Sequence, residues 1–249
     1  VDGFIGAVVK LSDGSPLIVA LDVRTEDEVR DVCRALGAHA GYFKIGSELF
    51  MSLGGRAVEA VIEEGGKVFL DLKFHDIPKQ VGAACREAVN MGVDLLTVHT
   101  FGGRRMMTEA VSSVSATAAK LALPRPHILG VTVLTSLDAS DLDELGVESS
   151  VESQVVRLAS MARSAGARGV VCGAAEAAAV RSMAGADFLI VTPGISLAGD
   201  TPGAWDQKRT STLAGAVRAG ASHVVMGRSL LTAADPPATA EKLLSEIPG

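Results

Sequence analysis

The sequence predicts a single (β/α)8 barrel of the TIM type, and three observations lead there. Eight short apolar runs recur along the 249 residues, with helical patterns between them. The runs are apolar almost without interruption, as strands covered on both faces of a parallel sheet must be. No Gly-rich dinucleotide turn follows an early strand, since "ALDVRTEDE" (20–28) offers none, and this disfavours an open doubly wound sheet. Eight strand-and-helix units in about 250 residues match the size of one closed barrel. No composition break or linker divides the chain, so residues 1–249 read as one domain.

In order, the runs are "LIVALD" (17–22), "YFKIG" (42–46), "KVFLDLK" (67–73), "DLLTVH" (94–99), "HILGVTVL" (127–134), "GVVCG" (169–173), "DFLIVTPG" (187–194) and "HVVMGRS" (223–229). After the first comes "TEDEVRDVCRALG", a helix with Thr25 as N-cap, acids in the first turn and Gly37 past its end. After the third, "IPKQVGAACREAVNMG" opens with Pro78 in the position of a first-turn helical proline. "SVESQVVRLASMARSAG" and "TSTLAGAVRAG" supply helices before the sixth and eighth runs. Between the seventh run and the latter helix lies "SLAGDTPGAWDQ" (196–207), small-residued and loop-like, which reads as a flexible lid.

Composition narrows the function classes. The chain is 48% apolar but only 4% aromatic, enough for one large core of closely packed small residues. A formal net charge of −6 argues against a nucleic-acid surface, which needs a basic face to neutralise phosphates. No run approaches the roughly 18 apolar residues of a membrane span, and "FIGAVV" (4–9) is too short and too near Asp2 for a signal peptide. Cys33, Cys85 and Cys172 are widely spaced and odd in number, and they read as reduced, buried thiols of a cytoplasmic protein.

The polar residues collect where barrel chemistry is done, at the C-terminal ends of the strands. Asp22 ends the first run, Lys44 sits in the second, Asp71 and Lys73 end the third, His99 ends the fourth, Thr135 follows the fifth and Arg228 ends the eighth. On an extended strand Asp71 and Lys73 point to the same side and Leu72 to the other. Buried ions cost several kcal/mol each unless paired, and Lys44, Asp71, Lys73 and Asp76 together form a neutral set. Other readings stand beside this one. Asp76 also suits a capping acid before Pro78, and Lys44 with Asp71 also suits a plain structural pair. His75 and His99 read as supporting or core residues, and His39, His127 and His223 offer no cluster and no metal site. "VTPGIS" and "VVMGRS" end the seventh and eighth runs, where barrel enzymes bind phosphate through backbone N–H groups. Gly194 and Gly227 let backbone approach a ligand, and Arg228 offers a bidentate guanidinium, although either glycine also suits a tight turn.

"ALD", "FKIG.ELF", "FLDLKFHDIP", "GVDLLTVHTFGG", "VTVLTS", "GVVCG..E", "VTPGI", "DQ.R" and "VVMGRS" occur in that order from Leu17 to about Pro236. The series closely resembles the bacterial type of the orotidine 5′-monophosphate decarboxylase family. Within the wider superfamily, 3-keto-L-gulonate 6-phosphate decarboxylase shares D-x-K-x-x-D but normally has an acid at the position of Lys44. The resemblance implies conversion of orotidine 5′-monophosphate to uridine 5′-monophosphate and carbon dioxide, in de novo pyrimidine biosynthesis, without metal or organic cofactor. It makes Lys44, Asp71, Lys73 and Asp76 the catalytic charge network. Asp22 and Lys44 are then expected to hold the ribose, and Thr135 to contact the base. Gln207, Arg228 and the backbone at Gly194 and Gly227 are expected to hold the phosphate. A homodimer is implied, in which Asp76 and Ile77 complete the neighbouring site, with neither nucleic acid nor membrane as partner. Two positions depart from the pattern: Ser196 stands where the family usually has arginine, and Gln80 where it has threonine. Lys208 and Arg209 are candidates to replace the lost guanidinium. Two other functions remain open at this point, a related sugar-phosphate decarboxylase or aldolase, and a catalytically silent barrel that binds phosphorylated ligands.

Overall fold

A computed structural model describes residues 14–195, 197 and 211–247. Among these, eight strands close into one barrel in sequence order. They are β1 (Leu17–Ala20), β2 (Tyr42–Gly46), β3 (Val68–Phe74), β4 (Leu95–His99), β5 (His127–Val131), β6 (Gly169–Val171), β7 (Leu189–Thr192) and β8 (His223–Met226). Every neighbouring pair is parallel, and β1 closes on β8 through Leu17↔Val224, Ile18↔Val225 and Val19↔Met226. The expected fold is therefore observed, with each expected run holding one strand. The first, fifth, sixth, seventh and eighth runs overshoot their strands at the C-terminal end, where the chain leaves the ladder to build the rim: Asp22, Thr135, Gly194 and Gly227 all lie past a strand.

The described helices surround the barrel. They are α1 (Glu26–Leu36), α2 (Ser47–Leu53), α3 (Gly55–Glu63), α4 (Pro78–Asn90), α5 (Gly103–Leu121), α6 (Ala139–Glu144), α7 (Val151–Ser164), α8 (Ala177–Ala184), α9 (Leu213–Arg218), α10 (Arg228–Leu231) and α11 (Pro236–Ser245). Thr25 caps α1 as expected: its side chain accepts from the Glu28 N–H while Glu28 reaches back to the Thr25 N–H. Ser150 and Thr212 cap α7 and α9 by their side chains alone, accepting from the Ser153 and Gly215 N–H, and Pro78 stands at the start of α4.

Strand alternation divides the core in two. Leu17, Val19, Phe43, Ile45, Val68, Leu70, Leu96 and Val98 join the layer between strands and helices. Ile18, Ala20, Tyr42, Phe69, Leu95, Leu129, Leu189, Val191 and Val225 form a second, smaller cluster. Its members alternate with those of the first, as barrel-interior residues must. Two residues further along the same face of β2, β3 and β4 come Lys44, Asp71 and Thr97, so the interior is apolar below and polar toward the C-terminal mouth. Cys33, Cys85 and Cys172 are free and buried, and burial pushes the thiols of Cys33 and Cys85 up to about 12, so both are packing residues. No described helix is long and apolar enough to cross a membrane.

Candidate active site

The site is built around an irregularity in β3. Pairing with β4 runs Phe69↔Leu95 and Leu70↔Leu96, then resumes at Phe74↔Val98. Asp71, Leu72 and Lys73 thus lie opposite one residue, Thr97, which makes a bulge. Lys73 adopts φ 51°, one of two non-glycine residues with positive φ in the described chain. Such a conformation costs roughly 1–3 kcal/mol and persists only where the surroundings enforce it. The simple alternation expected for Asp71 and Lys73 therefore fails at Lys73, where the chain is not extended. The bulge still brings their side chains together, with Lys73 Nζ 2.9 Å from Asp71 Oδ2.

Asp71 is the centre of the cluster. It is 8% exposed, and its Oδ2 also faces Lys44 Nζ at 3.6 Å. Its Oδ1 accepts from the Thr97 hydroxyl at 3.0 Å, and the oxygen of that hydroxyl accepts the Lys73 backbone N–H at 2.9 Å. Burial by itself would raise the Asp71 pKa. The ammoniums of Lys44 and Lys73 and the hydrogen bonds from Lys73 and Thr97 outweigh it and hold the carboxyl below its ordinary value. Two ammoniums against one ionised carboxylate leave a formal excess of one positive charge, a setting suited to an anionic ligand. Sequence reasoning passed over Thr97. The available signal was a hydroxyl in the middle of "DLLTVH", two residues before His99 on the same face of the strand.

Within one chain Asp76 does not join this cluster. It is exposed, and its Oδ1 accepts from the Ile77 N–H at 2.6 Å. Nor does it cap α4: the N-cap is Ile77, without a side-chain bond to the helix. Ile77 is 64% exposed, one of several large apolar side chains at the described surface. His99 is half-buried and stacks on His75, with ring centroids 5.2 Å apart. Burial, then the neighbouring His75 and Lys73, press its pKa down to about 4, so the ring is neutral at pH 7. Its Nδ1 accepts from the Phe101 N–H, as an unprotonated nitrogen can.

Barrel closure assembles a second group from opposite ends of the sequence. Arg228, the first residue of α10, approaches Asp22 with Nε 3.9 Å from Oδ2. Between them is Gly227, where a Cβ would lie 2.6 Å from Asp22 Oδ2 and 3.2 Å from Ala20 Cβ. Only glycine fits there without displacing the carboxylate. Gly194 has φ 79°, which also favours glycine, and its carbonyl accepts from the Ser211 N–H at 3.1 Å. Ile195 and Ser211 form a parallel bridge. Thr135 is buried just past β5. Gln207, Ser196, Lys208, Arg209 and all but Leu197 of the expected lid lie outside the described residues.

Comparison with known proteins agrees with the fold. A family model described as "Orotidine 5'-phosphate decarboxylase / HUMPS family" matches residues 15–243. The chain is 48% identical over 236 residues to the orotidine 5′-phosphate decarboxylase of Syntrophus aciditrophicus, covering 93% of this chain and 92% of that one. It is 45% identical over 245 residues to the enzyme of the same name from Moorella thermoacetica, covering 98% and 96%. The crystal structure of orotidine 5′-phosphate decarboxylase from Lactobacillus acidophilus superposes with a TM-score of 0.81 at 34% identity, over 95% of this chain and 100% of that one.

Proposed function

The chain belongs to the orotidine 5′-phosphate decarboxylase / HUMPS family, and on that premise we propose that Lys44, Asp71 and Lys73 are the machinery of its reaction. The enzyme decarboxylates orotidine 5′-phosphate to uridine 5′-phosphate and carbon dioxide, a step of pyrimidine biosynthesis. The observation that supports the residue assignment best is Asp71 ionised between two lysine ammoniums at the barrel mouth.

The chemistry asks for such an arrangement. When the carbon–carbon bond to the carboxylate breaks, its electron pair stays on the ring carbon, in the plane of the ring, where the π system cannot spread it. External positive charge must stabilise it. Lys73 stands as that charge and as the acid: a proton passes from Nζ to the ring carbon, and solvent later reprotonates the amine. Asp71 has two effects. It holds the ammonium in place, and it repels the substrate carboxylate until carbon dioxide leaves. Two like charges about 4 Å apart repel by roughly 4 kcal/mol at an effective dielectric of 20, whereas enzymes lower barriers by up to about 23 kcal/mol. Repulsion is therefore the smaller part, and the larger part falls to the preorganised cation and to binding energy drawn from the phosphate.

Around this centre, Asp22 and Lys44 hold the ribose, Thr135 contacts the base, and Arg228, Gln207 and the backbone at Gly194 and Gly227 receive the phosphate. The Asp22–Arg228 pair favours this reading, because both side chains are about half exposed. Such a pair is worth at most about 1 kcal/mol and is readily exchanged for a phosphate. The lid expected at 196–207 lies, apart from Leu197, outside the described residues, and the Ile195–Ser211 bridge flanks it. The exposure of Asp76 and Ile77 fits a homodimer in which they reach the neighbouring site, where a second carboxylate neutralises the excess charge of the cluster. No metal or organic cofactor takes part, and the enzyme works in the cytoplasm.

The test is the loss of orotidylate ultraviolet absorbance with purified protein, with and without chelator, beside Lys73→Ala. Chelator-insensitive turnover that vanishes in the variant supports the reading. Turnover that survives in the variant removes Lys73 from its role, and turnover lost to chelator restores the metal-dependent alternatives.

A further inference from the structure

We infer that Thr97 is a positioning residue for the decarboxylation, setting the carboxylate of Asp71 and the backbone of Lys73 at once; this rests on the reading of Lys73 as the proton donor. Three observations carry it. Thr97 is the one residue of β4 opposite the three-residue bulge of β3, where the register jumps from Leu70↔Leu96 to Phe74↔Val98. Its hydroxyl makes two contacts, accepting the Lys73 N–H at 2.9 Å and donating to Asp71 Oδ1 at 3.0 Å. It is fully buried, so no solvent molecule takes over those bonds when the hydroxyl is removed.

The direction of each bond follows from the groups themselves. A backbone N–H can only donate, so the Thr97 oxygen accepts there and its own proton is directed at Asp71. The Lys67 carbonyl accepts from Phe43 of β2 and the Val68 carbonyl from Asp94 at the start of β4, so in an unbroken ladder the Lys73 N–H would face β2; the bulge turns it toward β4, where the Thr97 hydroxyl receives it. Thr97 thereby supports the left-handed φ of 51° at Lys73 and the direction in which that side chain leaves the strand. At the same time the two Asp71 oxygens are divided, Oδ1 to Thr97 and Oδ2 to Lys73 and Lys44, which fixes the plane of the carboxylate. Thr97 acts only through these two residues. Removing its hydroxyl orphans a buried N–H of Lys73 and a carboxylate oxygen of Asp71 together, so one loss falls on the residue that transfers the proton and the other on the carboxylate that holds its ammonium.

The experiment compares Thr97→Val, close in shape but without the hydroxyl, with Thr97→Ser, which keeps it. For Thr97→Val the expected result is a kcat lower by about 10–100-fold, the scale of small misplacements of a reacting group. KM and affinity for a uridylate analogue should stay within a few-fold, and Thr97→Ser should return kcat to within a few-fold of the parent. Amide hydrogen exchange at Lys73 should be faster in the Val variant and normal in the Ser variant. Unchanged kcat in Thr97→Val overturns the inference, and so does a Ser variant as slow as the Val variant, since the hydroxyl is then not what matters. If the Val variant fails to fold, Thr97→Ala takes its place beside the Ser variant, with the same expected and overturning outcomes. Turnover by the parent protein and its loss in Lys73→Ala are measured alongside. A parent without turnover sinks the catalytic reading, whereas unaltered exchange at Lys73 sinks the role of Thr97 independently of any substrate.

Discussion

Lys73 shows how much one backbone angle can demand. With φ 51° a side-chain-bearing residue there is strained, and the strain is about 1–2 kcal/mol for any L-residue with a Cβ. Lys73→Gly should therefore be about 1 kcal/mol more stable to urea than Lys73→Ala, although both lack the ammonium. An equal or lower stability for the glycine variant would show that no strain is stored at that position. His99 yields a second residue-scale expectation. Its folded pKa of about 4 lies below the ordinary 6.5, so between those values the unfolded chain binds more protons and stability falls as pH falls. The loss between pH 7 and pH 5 should be about 2 kcal/mol. His99→Gln should abolish that component of the urea-unfolding profile. Asp71 cannot mimic it: its folded pKa is depressed below 3.8, so its contribution is complete above that value and disappears only as pH drops through the depressed pKa.

At the scale of elements, local chemistry made some boundaries legible and left others hidden. The start of α1 could be read because Thr25 and Glu28 satisfy each other within four residues, whatever the rest of the chain does. Thr25→Ala should cost about 1 kcal/mol in urea or thermal unfolding. The end of α5 could not be read that way. Ala122 occupies the left-handed C-cap, with φ 52° and ψ 36°, where sequence rules look for glycine or asparagine. Ala122→Gly should accordingly stabilise the protein by up to about 1 kcal/mol, and a destabilised variant would remove the strain ascribed to that cap. The bulge of β3 was hidden for a different reason. "FLDLKF" alternates as a regular strand should, and only the register of its neighbour reveals that three residues stand opposite one.

For the whole molecule, closing the barrel decides what meets what. Asp22 and Arg228 are separated by most of the sequence, yet β1 and β8 are adjacent, and the two side chains share the rim across Gly227. The rim is also where a single chain stops short of the expected network, because Asp76 and Ile77 point into solvent. If they serve the neighbouring site, two inactive variants should rescue each other. A mixture of Lys73→Ala and Asp76→Ala chains, exchanged through mild denaturation, forms heterodimers with one intact site. Random pairing should then return about a quarter of parental activity, as two-fold symmetry requires. A mixture as inactive as its components would place Asp76 outside the partner's site.

Pattern alone determined the barrel, because buried parallel strands must be apolar throughout and eight of them recur at the spacing of strand-and-helix units. It also singled out Lys44, Asp71, Lys73 and Asp76, since charges at and just beyond the ends of such strands are costly unless they are used. Tertiary structure alone decided how these charges are arranged. Thr97 became part of the site through a register shift between two strands, Asp22 met Arg228 through closure of the sheet, and Asp76 was left outside by the path of the chain after β3. The physical reason is the range of the forces involved. Hydrophobic periodicity and helix capping act over a few residues and are written locally, whereas strand register and barrel closure depend on the packing of segments that are distant in sequence.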